Sequence, residues 1–226
     1  MKYTIEGDSL PVARIYLSNG EALISQAGGR TWEKGDVLTE VKSEGGAKKM
    51  FGRLVSGESL FLSKYTARGD CEIAFASSFA GSIIVKELAA GESIIAQKQA
   101  FMCATYGVDL SVYFNKRVGS GMFGGEGFIM QKVTGPGTVF LEINGYCVDY
   151  DLGPGERIVL DTGVLAFMDE TCSMDVEVVK GGMKNVLFGG EGLMNTTVTG
   201  PGKVYLQSIN LAALAQRLYR SMPSDK

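Results

Sequence analysis

Histidine is absent from all 226 residues. That absence removes every His-based triad, His-ligated metal centre and His acid–base relay from consideration. Long apolar runs are missing too, and no stretch approaches the roughly 18 residues of a membrane span. Glu6 and Asp8 interrupt what would have to be the apolar core of a secretory leader, so no signal peptide is expected. Proline is scarce, at 5 residues, and glycine follows no three-residue period. The glycines therefore describe neither a triple helix nor a disordered tract. Neither charge sign dominates: 22 basic residues face 25 acidic ones, for a net charge of -3. A general attraction to nucleic acid or anionic lipid is therefore not expected, and no cofactor is called for. Peripheral membrane association stays open, and the cytoplasm is the expected compartment. Cys71, Cys103, Cys147 and Cys172 form no CxxC pair. Their spacing permits a structural disulfide, but their apolar settings favour free core thiols.

What the chain does have is glycine: 31 of its residues, about twice the usual share of roughly 7%. The glycines stand between short apolar runs, where turns demand positive φ. Alternation is clean over Asp109–Val112 and Ser173–Val178, which predicts strands with one buried and one wet face. Further strands are predicted over 12–17, 21–26, 59–65, 71–77, 82–86, 92–98, 101–105, 138–143, 146–151, 157–160, 164–168 and 203–209. The continuous run Ile83-Ile84-Val85 suits a strand that faces another sheet. Residues 43–53 read as a polar loop. One helix is predicted over 210–221, capped by Asn210, with Leu211, Leu214 and Leu218 on one side and Pro223 beyond it.

An internal repeat organises these strands. Residues 124–137 read GGEGFIMQKVTGPG and residues 189–202 read GGEGLMNTTVTGPG, nine of fourteen positions being identical without a gap. A weaker copy, SGESLFLSKYTARG, starts at Ser56. A second marker, Gly-Glu before an apolar strand, occurs at Gly20-Glu21, Gly91-Glu92 and Gly155-Glu156. Two markers, each present three times, imply three related β units at approximately 1–78, 79–143 and 144–210 within a single domain over 1–226. Their common order along the chain favours a pseudo-threefold arrangement, since closure would leave no bare sheet edge.

Candidate chemistry is sparse. Gly119–Gly124 spells GxGxxG, but the dinucleotide fingerprint must open into a helix, and here a strand follows. The glutamates after glycine (Glu21, Glu58, Glu92, Glu126, Glu156, Glu191) could suggest carboxylate pairs. Repetition with the unit makes them turn residues instead, together with Gly20, Gly57, Gly91, Gly125, Gly155 and Gly190. Asp149 and Asp151 share one face of a predicted strand, yet two ligands are too few for a cation site. Lys48, Lys49 and Arg53, with Phe51 among them, form the one compact basic group and a candidate nucleic-acid contact. No catalytic or metal-binding residue is assigned.

The GGEG and VTGPG segments, with the Gly-Glu strands, carry a resemblance: the chain resembles the AIM24 family of bacterial and mitochondrial proteins over nearly its whole length. The resemblance implies a β-sandwich or β-helix-like fold related to the tryptophan RNA-binding attenuation protein (TRAP-like). It implies no enzymatic reaction or catalytic residue set. Mitochondrial members are associated with inner-membrane organisation, and a bacterial-type member is expected here because a presequence is lacking. The expected function is first a non-catalytic structural or protein-interaction role, with protein partners and self-association optional. A small-molecule or nucleic-acid binding module comes second, and an enzyme using carboxylate or thiol chemistry third.

Overall fold

The computed structural model describes residues 1–43, 61–116, 128–178 and 194–221. It is built of antiparallel sheets with one short helix at the C-terminal end. After β1 (Lys2–Glu6), six strands follow: β2 (Val12–Leu17), β3 (Ala22–Gln26), β4 (Trp32–Lys34), β5 (Val37–Ser43), β6 (Phe61–Ala67) and β7 (Cys71–Ala76). The next six are β8 (Gly81–Leu88), β9 (Ser93–Gln97), β10 (Phe101–Thr105), β11 (Asp109–Lys116), β12 (Phe128–Thr134) and β13 (Gly137–Asn144). The last six are β14 (Cys147–Leu152), β15 (Arg157–Asp161), β16 (Leu165–Asp169), β17 (Ser173–Val178), β18 (Met194–Thr199) and β19 (Gly202–Gln207), before the helix α1 (Leu211–Ser221).

Each set of six pairs in the same way. The first and third strands flank the sixth, and the second and fourth flank the fifth. Each unit thus supplies two half-sheets. Units are joined where the second strand of one pairs with the third strand of the next, β3 with β10 and β9 with β16. The result is four sheets in sequence: β1-β2-β7-β4, β5-β6-β3-β10-β13-β8, β11-β12-β9-β16-β19-β14 and β15-β18-β17.

One apolar core lies between each consecutive pair of sheets. Ile15, Ile73, Phe75 and Phe140 belong to the first, Ile94, Leu141, Ile143 and Phe167 to the second, and Ile95, Met130, Leu165 and Val198 to the third. The middle sheets are therefore covered on both faces. Phe140 enters the first core while its neighbours Val139 and Leu141 enter the second, because successive side chains of a strand point to opposite faces. This explains the continuous apolar runs: a strand buried on both sides has no wet face to alternate with. Ile83, Ile84 and Val85 divide between the same two cores. Outer strands keep the alternation, as in β17, where Val176 is buried and Ser173, Asp175 and Glu177 are exposed.

Two junctions of this kind are formed. A third, β15 against β4, would complete the pseudo-threefold set, and among the described residues β15 pairs only with β18 and β4 only with β7. The helix departs in part from expectation. Asn210 caps it, accepting from Ala213 N–H at 3.1 Å, and Ala212 packs on the third core. Leu211 and Leu214 are half-buried, but Leu218 is exposed. Strands β1, β4, β5 and β18 lie outside the strands that the sequence predicts.

Candidate functional site

The Gly-Glu markers resolve into one repeated device. Ser18–Glu21, Ala89–Glu92 and Gly153–Glu156 are four-residue turns, each closed by a bond of 3.0 Å from the glutamate N–H to the carbonyl of the first residue. Gly20, Gly91 and Gly155 occupy the third position with φ of 88°, 81° and 77°, a left-handed backbone that a Cβ disfavours. Each glutamate then turns its side chain back. Oε2 of Glu21, Glu92 and Glu156 accepts from the backbone N–H of Ser18, Ala89 and Gly153 at 2.8, 2.8 and 2.9 Å. The carboxylates are structural clamps, each accepting from the backbone N–H three residues before it. Glu21 also receives the chain's terminal ammonium at 2.9 Å, and the Ser18 N–H, followed by that ammonium, holds its carboxyl below the ordinary range. Gly57, Glu58, Gly125, Glu126, Gly190, Glu191, the GxGxxG stretch and Lys48, Lys49 and Arg53 lie outside the described residues.

The thiols are poor nucleophiles. Cys71, Cys103 and Cys172 are buried, Cys147 is half-buried, and all four are free. Burial pushes each thiol up, most of all Cys103 in its wholly apolar setting, and nearby carboxylates add to the effect at the other three. Neutral thiols dominate near pH 7. Asp149 and Asp151 are exposed on β14, and among the described residues no group of three or more metal-binding side chains gathers.

Two features remain that could engage another molecule. The first is a polar cavity of about 530 Å³ at the junction of the first two units, lined in part by Gln26, Arg30, Thr31, Ser78, Gln99 and Glu142. Glu142 is 9% exposed. One oxygen, Oε1, accepts from Ser78 N–H, Ser78 Oγ and Phe79 N–H at 2.6, 2.9 and 3.3 Å. Arg30 is engaged by Glu33 and lies against the Tyr65 ring. At the second junction the matching position is Gln207, whose Nε2 donates to Gln97 Oε1 and Gly163 O at 3.2 and 3.1 Å. There a neutral amide closes the space that a carboxylate faces at the first junction.

The second feature is a pair of edge strands, β4 of the first sheet and β15 of the fourth. All three residues of β4 are exposed, and Trp32 donates its indole N–H to Glu72 at 3.3 Å. On β15, Arg157, Val159 and Asp161 are exposed and Leu160 is buried. A depression of about 690 Å³, lined by Lys2, Glu21, Lys34, Cys71 and Glu72 among others, adjoins β4. Sequence reasoning missed β4 altogether, because three residues with one aromatic give no periodic signal.

Comparison with known proteins places these features in a wider set. A family model described as "Mitochondrial biogenesis AIM24" matches residues 3–209. An uncharacterized protein of Streptococcus pyogenes serotype M6 is 29% identical over 100% of this chain and 92% of its own length. A crystal structure of a protein from Streptococcus pyogenes superposes with a TM-score of 0.81 at 24% identity, covering 98% of this chain and 99% of that one. The fold is thus shared with that protein over nearly the whole of both chains.

Proposed function

The chain belongs to the AIM24 family, and from that premise we propose that it is a non-catalytic interaction protein that engages protein partners along two of its sheet edges, β4 and β15. One observation carries the reading: among the described residues β4 and β15 each pair on one side alone, and Trp32 and Val159 are exposed there. Free edges are templates for strand addition, and natural sheets cover or disrupt them unless they are used. The cytoplasmic setting read from the sequence belongs to this proposal, and four free cysteines support it. A photo-crosslinking residue placed at Val159 or at Trp32 in native cells should give a discrete protein adduct, whereas one at exposed Tyr146 should not. An adduct pattern that does not depend on position would overturn the edges as the site. Metabolite turnover by the purified protein, lost on changing one surface cluster, would overturn the non-catalytic reading.

A second reading rests on the cavity beside Glu142. A carboxylate with an oxygen left for a ligand suits a small molecule that presents an ammonium or amide N–H. Thermal shifts across a panel of primary amines, abolished in Glu142→Gln, would favour it. The nucleic-acid branch has only Lys48, Lys49 and Arg53 behind it. Retention of a random RNA pool at low salt, lost when all three become alanine, is its test.

A further inference from the structure

We infer that the partner at these edges is a second copy of this chain, joined head to tail so that β15 of one copy pairs antiparallel with β4 of the next. The inference rests on the interaction reading above and names its partner. The chain makes this junction twice within itself, always between the second strand of a unit and the third strand of the following one. The second strand of the last unit and the third strand of the first are the two that lack such a partner among the described residues. A molecule whose two ends are the halves of its own internal joint is complementary to copies of itself in a heterologous sense.

The internal junctions also fix the register. Within the units, Trp32 pairs with Ala74, Cys103 with Phe140 and Phe167 with Tyr205. Those partners are equivalent, because each lies three residues after the one facing the last residue of β2, β8 or β14. Trp32 therefore stands where Cys103 and Phe167 stand. On the other side, the residues that follow the three Gly-Glu turns align Ile24, Ile95 and Val159. Cys103 pairs with Ser25 and Ala104 with Ile24, and Phe167 pairs with Ala96 and Met168 with Ile95. Carried to the outer edges, Trp32 meets Leu160, Glu33 meets Val159 and Lys34 meets Ile158.

Burial at the equivalent sites shows what the junction does. Ile24 and Ile95 are 7% and 0% exposed, whereas Val159 is 64% exposed. Cys103 and Phe167 are both at 0%, whereas Trp32 is at 43%. These are the two places where a side chain type suited to the joint is left wet, and burying apolar area is the main source of association energy. Charge agrees with the register. Arg157 comes opposite Gly35, beside Asp36, and Asp161 comes opposite Thr31, beside Arg30. The joined sheet would run β17-β18-β15 of one copy into β4-β7-β2-β1 of the next.

The test uses the full chain. Sedimentation velocity over a hundredfold concentration range should show mass rising above the monomer. The emission of Trp32, the single tryptophan, should shift to the blue in parallel as its ring leaves water. Val159→Glu sets a carboxylate opposite Glu33 and should abolish both changes with the far-UV spectrum intact. Adding Glu33→Lys to it should restore them. Mixing Glu33→Cys protein with Val159→Cys protein under mild oxidation should give a covalent dimer. A monomer at every concentration, or self-association indifferent to Val159→Glu, overturns the inference. So does a Glu33→Cys, Val159→Cys double variant that cross-links only within one chain, which would mean closure on itself. If the photo-adduct at Val159 contains a different protein while the chain stays monomeric, the interaction reading survives and this inference falls.

Discussion

At the residue scale, ionised carboxylates tie the outermost layer together. Arg14 reaches Glu72 at 2.7 Å and Glu6 at 3.0 Å. The Arg14 hydrogen bond, and then the Trp32 indole, hold the Glu72 carboxyl below its ordinary range. Lys132 does the same for Glu170, chiefly through its hydrogen bond. A carboxylate whose pKa falls on folding contributes stability above its unfolded value, about 4.3 for Glu, and loses it as pH falls through the folded value. Thermal stability should hold above about pH 5 and decline below the ordinary glutamate range. Glu72→Gln should melt lower than the parent at pH 7 and merge with it in strong acid, which melts followed by circular dichroism between those limits would reveal. A gap that persists in acid would assign the loss to packing. Gln131 offers the opposite case. It is fully buried, and among the described residues neither side-chain polar atom has a hydrogen-bond partner. An unpaired buried amide costs about 1–3 kcal/mol, so Gln131→Met should gain roughly 1 kcal/mol in urea unfolding. A loss would show that the amide is satisfied.

The element scale is governed by corners where two repeated motifs meet. The VTGPG turns abut the Gly-Glu turns of the same unit: Gly135 N–H donates to Glu92 O at 2.9 Å and Gly200 N–H to Glu156 O at 3.0 Å. A Cβ on Gly135 would stand 2.5 Å from Ala89 O, and one on Gly200 would stand 2.6 Å from Gly153 O. Backbone is the obstacle in both places, and backbone cannot swing aside as a flexible side chain would. Gly135→Ala should therefore cost about 3 kcal/mol, at the upper end of overpacking penalties. Gly155→Ala differs in kind. Nothing lies within 4 Å of its Cβ position, and only the left-handed φ resists, at about 1–2 kcal/mol. Equilibrium unfolding of the two variants side by side should rank them in that order. The reverse ranking would mean that the corner yields to the methyl group.

On the scale of the whole molecule, the units are not separate bodies. Sheets two and three each draw strands from two units, so unfolding one unit strips an edge and a face from the next. Heat should produce a single transition, with Trp32 fluorescence and far-UV dichroism coinciding. Amide exchange should be slowest in β9, β10 and β13, whose two faces are covered, and fastest in β1, β4 and β15 at the ends. Protection of β4 and β15 that grows with protein concentration would match head-to-tail pairing. Two separated transitions would show that the junctions are weaker than the cores.

Local chemistry and repetition were enough to reveal the all-β class, the order of most strands and the Gly-Glu and VTGPG corners. Turn glycines, alternation and the Asn210 cap act within a few residues, so they are written along the chain. Glu21, Glu92 and Glu156 were recognisable as turn residues for the same reason, though not as clamps on their own turns. The short strand at Trp32–Lys34, the meeting of Glu142 with Ser78, and the choice of β3 and β9 as joining edges depend on residues distant in sequence. Whether three like units close or stay open is decided by which sheet edges come to lie side by side. That depends on contacts between residues far apart in the chain, and the repeats, being alike, carry no record of them.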